Sequence, residues 1–291
     1  MINRRTMLKS ATAALAAPVF AKSVSAQSVW PSRPVRVVVP YPPAGGADTT
    51  ARLLFTKLGE MWGQQFVIDN RGGAGGTIGE AQVAKAEADG YTILHDATAF
   101  SVNPALYQNL SFDYTKDFAP VFLASLVPNI LVVNKDVEVK TVADVIELAK
   151  KTQGGLDFAS SGNGTLQHLC LELLRHMAQI QINHIPYRGG GLALNDVIGG
   201  QVKFFFANGS SVVGLIQGGQ VKAIAHTGKG QLGTLPDLPS VQDTLPGFEG
   251  YEWNGVFVPR GTPGEVVTRL HAALREVLNT PEIKEIGRAH V

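Results

Sequence analysis

The segment Tyr41-Pro42-Pro43-Ala44-Gly45-Gly46-Ala47-Asp48 separates a β-branched run, residues 35–39, from an amphipathic run, residues 49–62. A strand feeding a glycine-bearing turn into a helix constrains the chain strongly. It is the start of a parallel βα unit, and it leaves bare backbone N–H groups at a helix N-terminus, where an anion is favoured. The same alternation continues through most of the sequence, so the expected class is α/β with parallel layers rather than a sandwich.

Residues 65–68 read as the next strand and lead through the glycine-rich turn 70–76 to a helix over 78–88, with Thr77 and Glu80 as a capping box. Residues 92–94 form a strand that runs into a polar loop, 96–101. Residues 129–134 have the pattern of a buried strand, and Thr141 with Asp144 caps a helix reaching about Lys151. A short strand at 156–159, a loop at 160–164 and a helix at 165–177 follow. Further strands are expected at 183–185, 202–206 and 221–226, with helices at 192–198 and 212–216. Thr262, Pro263 and Glu265 supply a cap, a first-turn proline and a boxed glutamate for a helix over 264–278.

Four loops, 41–48, 96–101, 160–165 and 207–211, each follow the carboxyl end of a strand. Open α/β sheets bind ligands at that edge, and two such sheets face to face enclose a cleft. With 291 residues and 45% apolar composition, the chain has the length and the core for two domains. The loops offer neutral donors: Ser160, Ser161, Thr165, Thr98, Ser101 and glycine N–H groups, which replace water around a carboxylate. Arg188, next to Tyr187, is the one guanidinium in a loop of this kind, read equally as a ligand contact or a surface residue. Asp48 reads first as a helix cap. Asp48 and Asp96 would repel a second anion, which leans the ligand toward one carboxylate and a neutral or cationic remainder.

The N-terminus is of another kind. Arg4, Arg5 and Lys9 precede the apolar residues 11–20, and Val24-Ser25-Ala26 closes the stretch with small residues. This is the pattern of a secretory signal peptide cleaved after Ala26, too short to span a bilayer, and Asn3-Arg4-Arg5-Thr6-Met7-Leu8-Lys9 resembles a twin-arginine signal. Export to a bacterial periplasm is the expectation. Cleavage removes Arg4, Arg5, Lys9 and Lys22 but no acid, turning a formal charge of +1 into −3. No basic excess remains for nucleic acid or an anionic membrane. Cys170 is the only cysteine, so no intramolecular disulfide forms, and its leucine-rich surroundings mark it as a buried thiol.

Signatures of catalysis are few. No G-x-S-x-G, H-E-x-x-H or G-x-x-x-x-G-K-[ST] pattern occurs. Gly162-Asn163-Gly164 begins like a dinucleotide fingerprint, but Gln167 replaces the third glycine. His168, Glu172 and His176 share a helix face at zinc-ligand spacing, and a solvated polar face accounts for them equally well. Ser161 and His168 form the alternative reading, a secreted hydrolase, with no acid placed to orient the histidine.

Trp30-Pro31, the 41–48 loop, Asn70-Arg71, Asp89-Gly90-Tyr91-Thr92, Tyr187-Arg188-Gly189, Gly199-Gly200-Gln201-Val202, Leu235-Pro236-Asp237-Leu238-Pro239-Ser240 and Gly261-Thr262-Pro263 occur in this order. Together they resemble the Bug-type substrate-binding receptors of tripartite tricarboxylate transporters. The resemblance implies a two-domain, type II periplasmic-binding-protein-like fold with a hinge and an interdomain cleft. It also implies a receptor, not an enzyme, that takes a small carboxylate to membrane transporter subunits. Expected ligand contacts are Tyr41, Ala44, Gly45, Gly46 and Asp48 on one side, and Ser161, Gly164, Thr165 and His168 on the other. Thr98, Ser101, Tyr187, Arg188 and Asn208 shape the rest. No cofactor, metal or nucleic acid is expected, and the protein reads as a monomer that does not insert into a membrane.

The expected domains are 28–124 plus 250–291, and 125–249, with hinges near 126–129 and 247–251. Two departures from the family stand out. Residues 203–208, Lys-Phe-Phe-Phe-Ala-Asn, lack the acids the family often carries there. Residues 286–291 read like a translated sequencing adaptor, so a native chain continuing beyond Glu282 with another helix is expected.

Overall fold

The computed structural model describes residues 30–288, with side-chain surroundings through Lys284. The expected leader at 1–26 and the last residues, 289–291, lie outside the described residues.

The chain opens with β1 (Val35–Val39), α1 (Gly46–Trp62), β2 (Phe66–Asn70), a 3-10 turn (Ala74–Gly76), α2 (Thr77–Ala84), β3 (Thr92–Ala97) and α3 (Ala99–Leu106). A long strand, β4 (Phe118–Asn134), is followed by α4 (Val142–Lys151), β5 (Leu156–Ser160), α5 (Leu166–Ala178) and β6 (Ile182–Pro186). Then come α6 (Gly190–Ile198), β7 (Phe204–Asn208), α7 (Gly209–Gln217) and β8 (Val221–His226). The chain ends with β9 (Tyr251–Pro259), α8 (Gly264–Asn279) and α9 (Pro281–Arg288).

β1 pairs in parallel with both β2 and β3, and β9 joins β3 antiparallel. The first part of β4, Phe118 to Pro128, pairs with β9; its last residues, Asn129 to Asn134, pair with β7 and β8. β5 stands between β6 and β7, parallel to each. β4 therefore leaves one sheet and enters the other at Pro128 and Asn129. The mixed α/β class expected from the alternation is the class observed, in two lobes.

The second sheet is covered on both faces, which explains its near-continuous apolar strands. Leu131 and Val133 of β4 pack with Phe158, Phe204 and Phe206, whereas Ile130 and Val132 pack on the other face with Ala159, Phe205 and Ala207. Phe158 and Phe204 stack with centroids 5.0 Å apart. Cys170 is buried in the first of these clusters, as its neighbours implied.

Several local expectations need correction. α1 starts at Gly46, three residues before the expected start, because Gly45 serves as N-cap. Residues 96–101 are no loop: Asp96 and Ala97 end β3, and Thr98 is the N-cap of α3. Thr77 and Glu80 form no capping box; Gly76 is the cap, and Glu80 turns inward to Tyr114 and Asn103. Thr262 does not cap α8, since its hydroxyl bonds the Pro259 carbonyl. The box at Thr141 and Asp144 is present as expected.

Candidate functional site

The carboxyl ends of strands from both lobes meet around one cavity. Four helix N-caps line it, Gly45 of α1, Thr98 of α3, Thr165 of α5 and Asn208 of α7, along with Gly190, the first residue of α6. The first-turn N–H groups of a helix have no acceptor within the helix, and the helix dipole adds partial positive charge there. Five such ends point at one space. No lysine, arginine or histidine lines it, so any attraction for an anion comes from oriented backbone dipoles.

Tyr41, Gly45, Gly46, Thr98, Ser161, Thr165 and Asn208, all expected at the site, line this cavity. An adjoining cavity of about 180 Å³ shares Tyr41 and Ser161 and is completed by Tyr187, Arg188 and the 73–76 glycine turn. The lobes touch closely here. A Cβ on Gly46 would stand 2.5 Å from Asn208 Cγ, and one on Gly189, which has φ +141°, would stand 2.7 Å from Pro42 Cδ. The Asn208 side chain and the Pro42 ring leave no room for a Cβ at either position.

Ala44, Asp48, Ser101, Gly164 and His168 stand outside the walls of both cavities. Asp48 lies beneath the glycine loop and accepts from the Ala44 N–H and Arg52 Nε, at 2.9 and 3.0 Å, and from Asn70 Nδ2 at 2.9 Å. Burial works to raise its pKa, but Arg52, the Ala44 N–H and Asn70 outweigh that and hold it below the usual range. Asp48 thus fixes Ala44 at φ +68°, a left-handed conformation unusual for alanine. Ser101 Oγ donates to Thr98 O. His168 Nδ1 accepts from the Gly164 N–H at 3.2 Å, so these two residues brace the second loop instead of opening onto the cavity.

The hydrolase pair finds no geometry. His168 stacks on His184 with centroids 4.1 Å apart, and it is Ser160 Oγ, not Ser161, that meets a histidine, 2.5 Å from His184 Nε2. Among the described residues no carboxylate hydrogen-bonds either ring. On the face proposed for zinc, Glu172 is paired with Arg175 at 2.6 Å, and no cluster of three or more potential ligands occurs among the described residues.

Glu252 and Gln167 line the cavity and were not expected there. Glu252, on β9 opposite Val127 of β4, is 7% exposed, and Gln167 is 2% exposed. Gln167 Nε2 donates to Glu252 Oε2 at 2.5 Å. Burial pushes the Glu252 pKa up, and the Asn208 and Gln167 amides oppose it. The signal was present in the run Tyr-Glu-Trp-Asn-Gly-Val-Phe-Val at 251–258: Glu252 and Asn254 alternate with aromatics inside a strand and share one face. Asp96, expected to face the ligand, accepts from Tyr41 Oη and its Ala97 neighbour's N–H.

Comparison with known proteins follows the same lines. A family model described as tripartite tricarboxylate transporter family receptor (TctC) matches residues 50–289. A "UPF0065 protein in tcbD-tcbE intergenic region" of Pseudomonas sp. (strain P51) is 38% identical over 288 residues, covering 98% of this chain and 84% of that protein. The structure of periplasmic binding protein BugD superposes with a TM-score of 0.85 at 36% identity, over 89% of this chain and 87% of its own. Rpa4515 of R. palustris with adipate gives 0.86 at 36% identity, over 89% and 88%. MatC of Rhodopseudomonas palustris with bound malate gives 0.84 at 31% identity, over 89% of each chain. Bug-type receptors, expected from the motifs, are thus among its relatives, and the chain belongs to the tripartite tricarboxylate transporter receptor family.

Proposed function

We propose that this protein is an exported receptor that closes its two lobes on a small organic carboxylate and presents it to the membrane subunits of a tripartite transporter, without chemical turnover. The observation that carries this reading is the convergence of five helix N-termini on one cavity between strand ends of both sheets. Such a site compensates one carboxylate with dipoles and hydrogen bonds, and each charge-assisted bond contributes about 1.5 to 3 kcal/mol. The adipate and the bound malate in the structures of two relatives support the class of ligand.

In this reading Gly45, Gly46, Ser161 and Thr165 hold the carboxylate, and Tyr41, Thr98, Tyr187, Arg188 and Asn208 shape the remaining space. Ala44, Asp48, Ser101, Gly164 and His168 hold the two loops in place. The lobes comprise 28–124 plus 250–291, and 125–249, and they swing about 126–129 and 247–251. Ligand bridges both walls and draws the equilibrium toward the closed form. Residues 1–26 direct export to the periplasm and are removed near Ala26, leaving a monomer. No helix among the described residues is long and apolar enough to cross a membrane.

The test is a thermal-shift and calorimetric screen of the purified protein against small mono- and dicarboxylates, adipate and malate included, with the matching primary amides as controls. At least one acid should raise the melting temperature and its amide should not, because binding stabilises only the folded state. Silence toward every acid would overturn the reading.

A further inference from the structure

The geometry points to Glu252 as a specificity-determining residue that selects carboxylic acids whose other end carries a hydrogen-bond donor, an ammonium or a hydroxyl group. The inference rests on the reading of the cavity as a carboxylate site and narrows it.

Glu252 is a carboxyl buried in a cavity wall that holds no cation. Gln167 Nε2 occupies Oε2. Among the described residues no donor reaches Oε1 in hydrogen-bond geometry, although the Asn208 amide lies close enough to favour the ionised form. A buried carboxylate with an unused oxygen is costly unless something donates to it. The converging helix N-termini lower that cost by dipole, which lets a charge reside there. They are also the groups that would hold a ligand's carboxylate. A second ligand carboxylate would add a further anion to the same low-dielectric space, whereas an N–H or O–H donor would satisfy Oε1.

Asn208 completes the arrangement. It is 4% exposed, and its Oδ1 accepts from the Ser210 N–H at 2.9 Å and the Ser210 hydroxyl at 2.6 Å. That fixes the amide, with Nδ2 buried near Glu252 but making no hydrogen bond of good geometry. A donor, Asn208 Nδ2, and an acceptor, Glu252 Oε1, therefore border one cavity. The single-carboxylate preference expected from Asp48 and Asp96 is not theirs, since Asp48 is engaged by Arg52 and Asn70 and Asp96 by Tyr41. Glu252 is the acid that lines the cavity.

The experiment is isothermal titration calorimetry at pH 7.5 on the purified protein, using ligand sets matched in chain length. Each set holds an unsubstituted monocarboxylate, its hydroxy and amino analogues, and the dicarboxylate. A hydroxy or amino acid should bind at least tenfold more tightly than both the unsubstituted acid and the dicarboxylate of its set, and Glu252→Gln should abolish that advantage. The stronger of the two analogues identifies the donor. Donor-bearing acids that bind no better than the unsubstituted acid, a dicarboxylate that binds best, or a Glu252→Gln variant that keeps the preference would each overturn the inference while leaving the carboxylate site intact. If no acid in any set binds, both readings fall together. The wild-type ranking decides the matter even where the variant does not fold.

Discussion

Tyr41 Oη donates a 2.9 Å hydrogen bond to Asp96 Oδ1 in a buried pair that ties the end of β1 to the end of β3. Glu80, whose carboxyl Tyr114 and Asn103 hold, lies close enough to Asp96 for the two buried acids to shift each other's titration. A residue that lines the cavity is thereby anchored on two carboxyl groups withdrawn from solvent.

Those carboxyls give the first prediction. Burial, with the neighbouring Asp96 charge, pushes the Glu80 pKa up to about 10, and burial raises Asp96 to about 6. In the unfolded chain Glu80 loses its proton near its ordinary value, about 4.3. Above that pH the folded state binds more protons than the unfolded one, so stability falls as pH rises through this window. Glu80→Gln keeps an acceptor for Tyr114 and does not titrate. Thermal melts from pH 5 to pH 9 should show wild type losing stability faster than the variant, and the variant should be the more stable at pH 9. Parallel profiles would show that Glu80 is ionised when folded.

The second prediction concerns closure. Gly46 belongs to α1 and Asn208 caps α7, and an added Cβ would come 2.5 Å from Asn208 Cγ, a clash that Asn208, held by Ser210, cannot relieve by rotating. Overpacking of this kind costs about 1 to 3 kcal/mol. It is felt only when the lobes are together. Gly46→Ala should therefore weaken binding of the best carboxylate about tenfold or more, by calorimetry, with little change in the melting temperature of the free protein. Unchanged affinity would mean that these residues do not meet in the bound form.

The parts of the site that could be read from sequence are those where chemistry sits beside glycine at a strand end. Gly45, Gly46, Ser161 and Thr165 lie on loops bounded by clear strand and helix patterns, and the cavity is where those patterns place it. β4 was hidden for a physical reason. Pro120 and Pro128 interrupt it, and irregular register between Pro120 and Phe122 and between Leu123 and Ser125 turns the usual two-residue alternation into a three-residue one over Phe118 to Val127. β9 was hidden because its inward positions carry polar groups, Glu252 in the cavity wall and Asn254 bonded to Ser125, in place of core residues. His168 was misplaced because sequence gives its helix position but not its stacking on His184, a partner sixteen residues away on β6.

That histidine pair leads to the third prediction. Burial, then the adjacent His168, lowers the His184 pKa to about 4, with Glu172 acting weakly the other way; burial also lowers that of His168. The Arg175 guanidinium faces Glu172 and is paired with it. An imidazole in the unfolded chain titrates near 6.5, so the unfolded state takes up protons first as pH falls. The stability contributed by neutral His184 is complete above about pH 6.5 and is lost on acidification toward pH 4. Urea unfolding should show wild type weakening across this interval. His184→Gln should weaken less over the same range while starting lower at pH 7.5, because Ser160 keeps only its Gly162 contacts. A variant with the wild-type pH profile would place the titration elsewhere.

Asp48 carries the last prediction, which separates holding the glycine loop from touching the ligand. Its carboxylate accepts from the backbone N–H of Ala44, a residue in the left-handed region, and from Arg52 and Asn70 on neighbouring elements. Hydrogen bonds to a charged group contribute about 1.5 to 3 kcal/mol. Asp48→Ala should therefore lower stability by about 2 to 3 kcal/mol in urea unfolding. Asp48→Asn retains one acceptor and should fall between the two. Asp48→Ala frees Ala44, and with it the loop that presents Gly45 and Gly46, and Asp48→Asn loosens it, so carboxylate affinity should decline in step with stability. Ala44→Gly removes the Cβ that the left-handed backbone disfavours, so in the Asp48→Ala background it should recover part of the stability. If affinity collapsed while stability stayed at the wild-type value, Asp48 would be a ligand contact and its place beneath the loop would need another explanation.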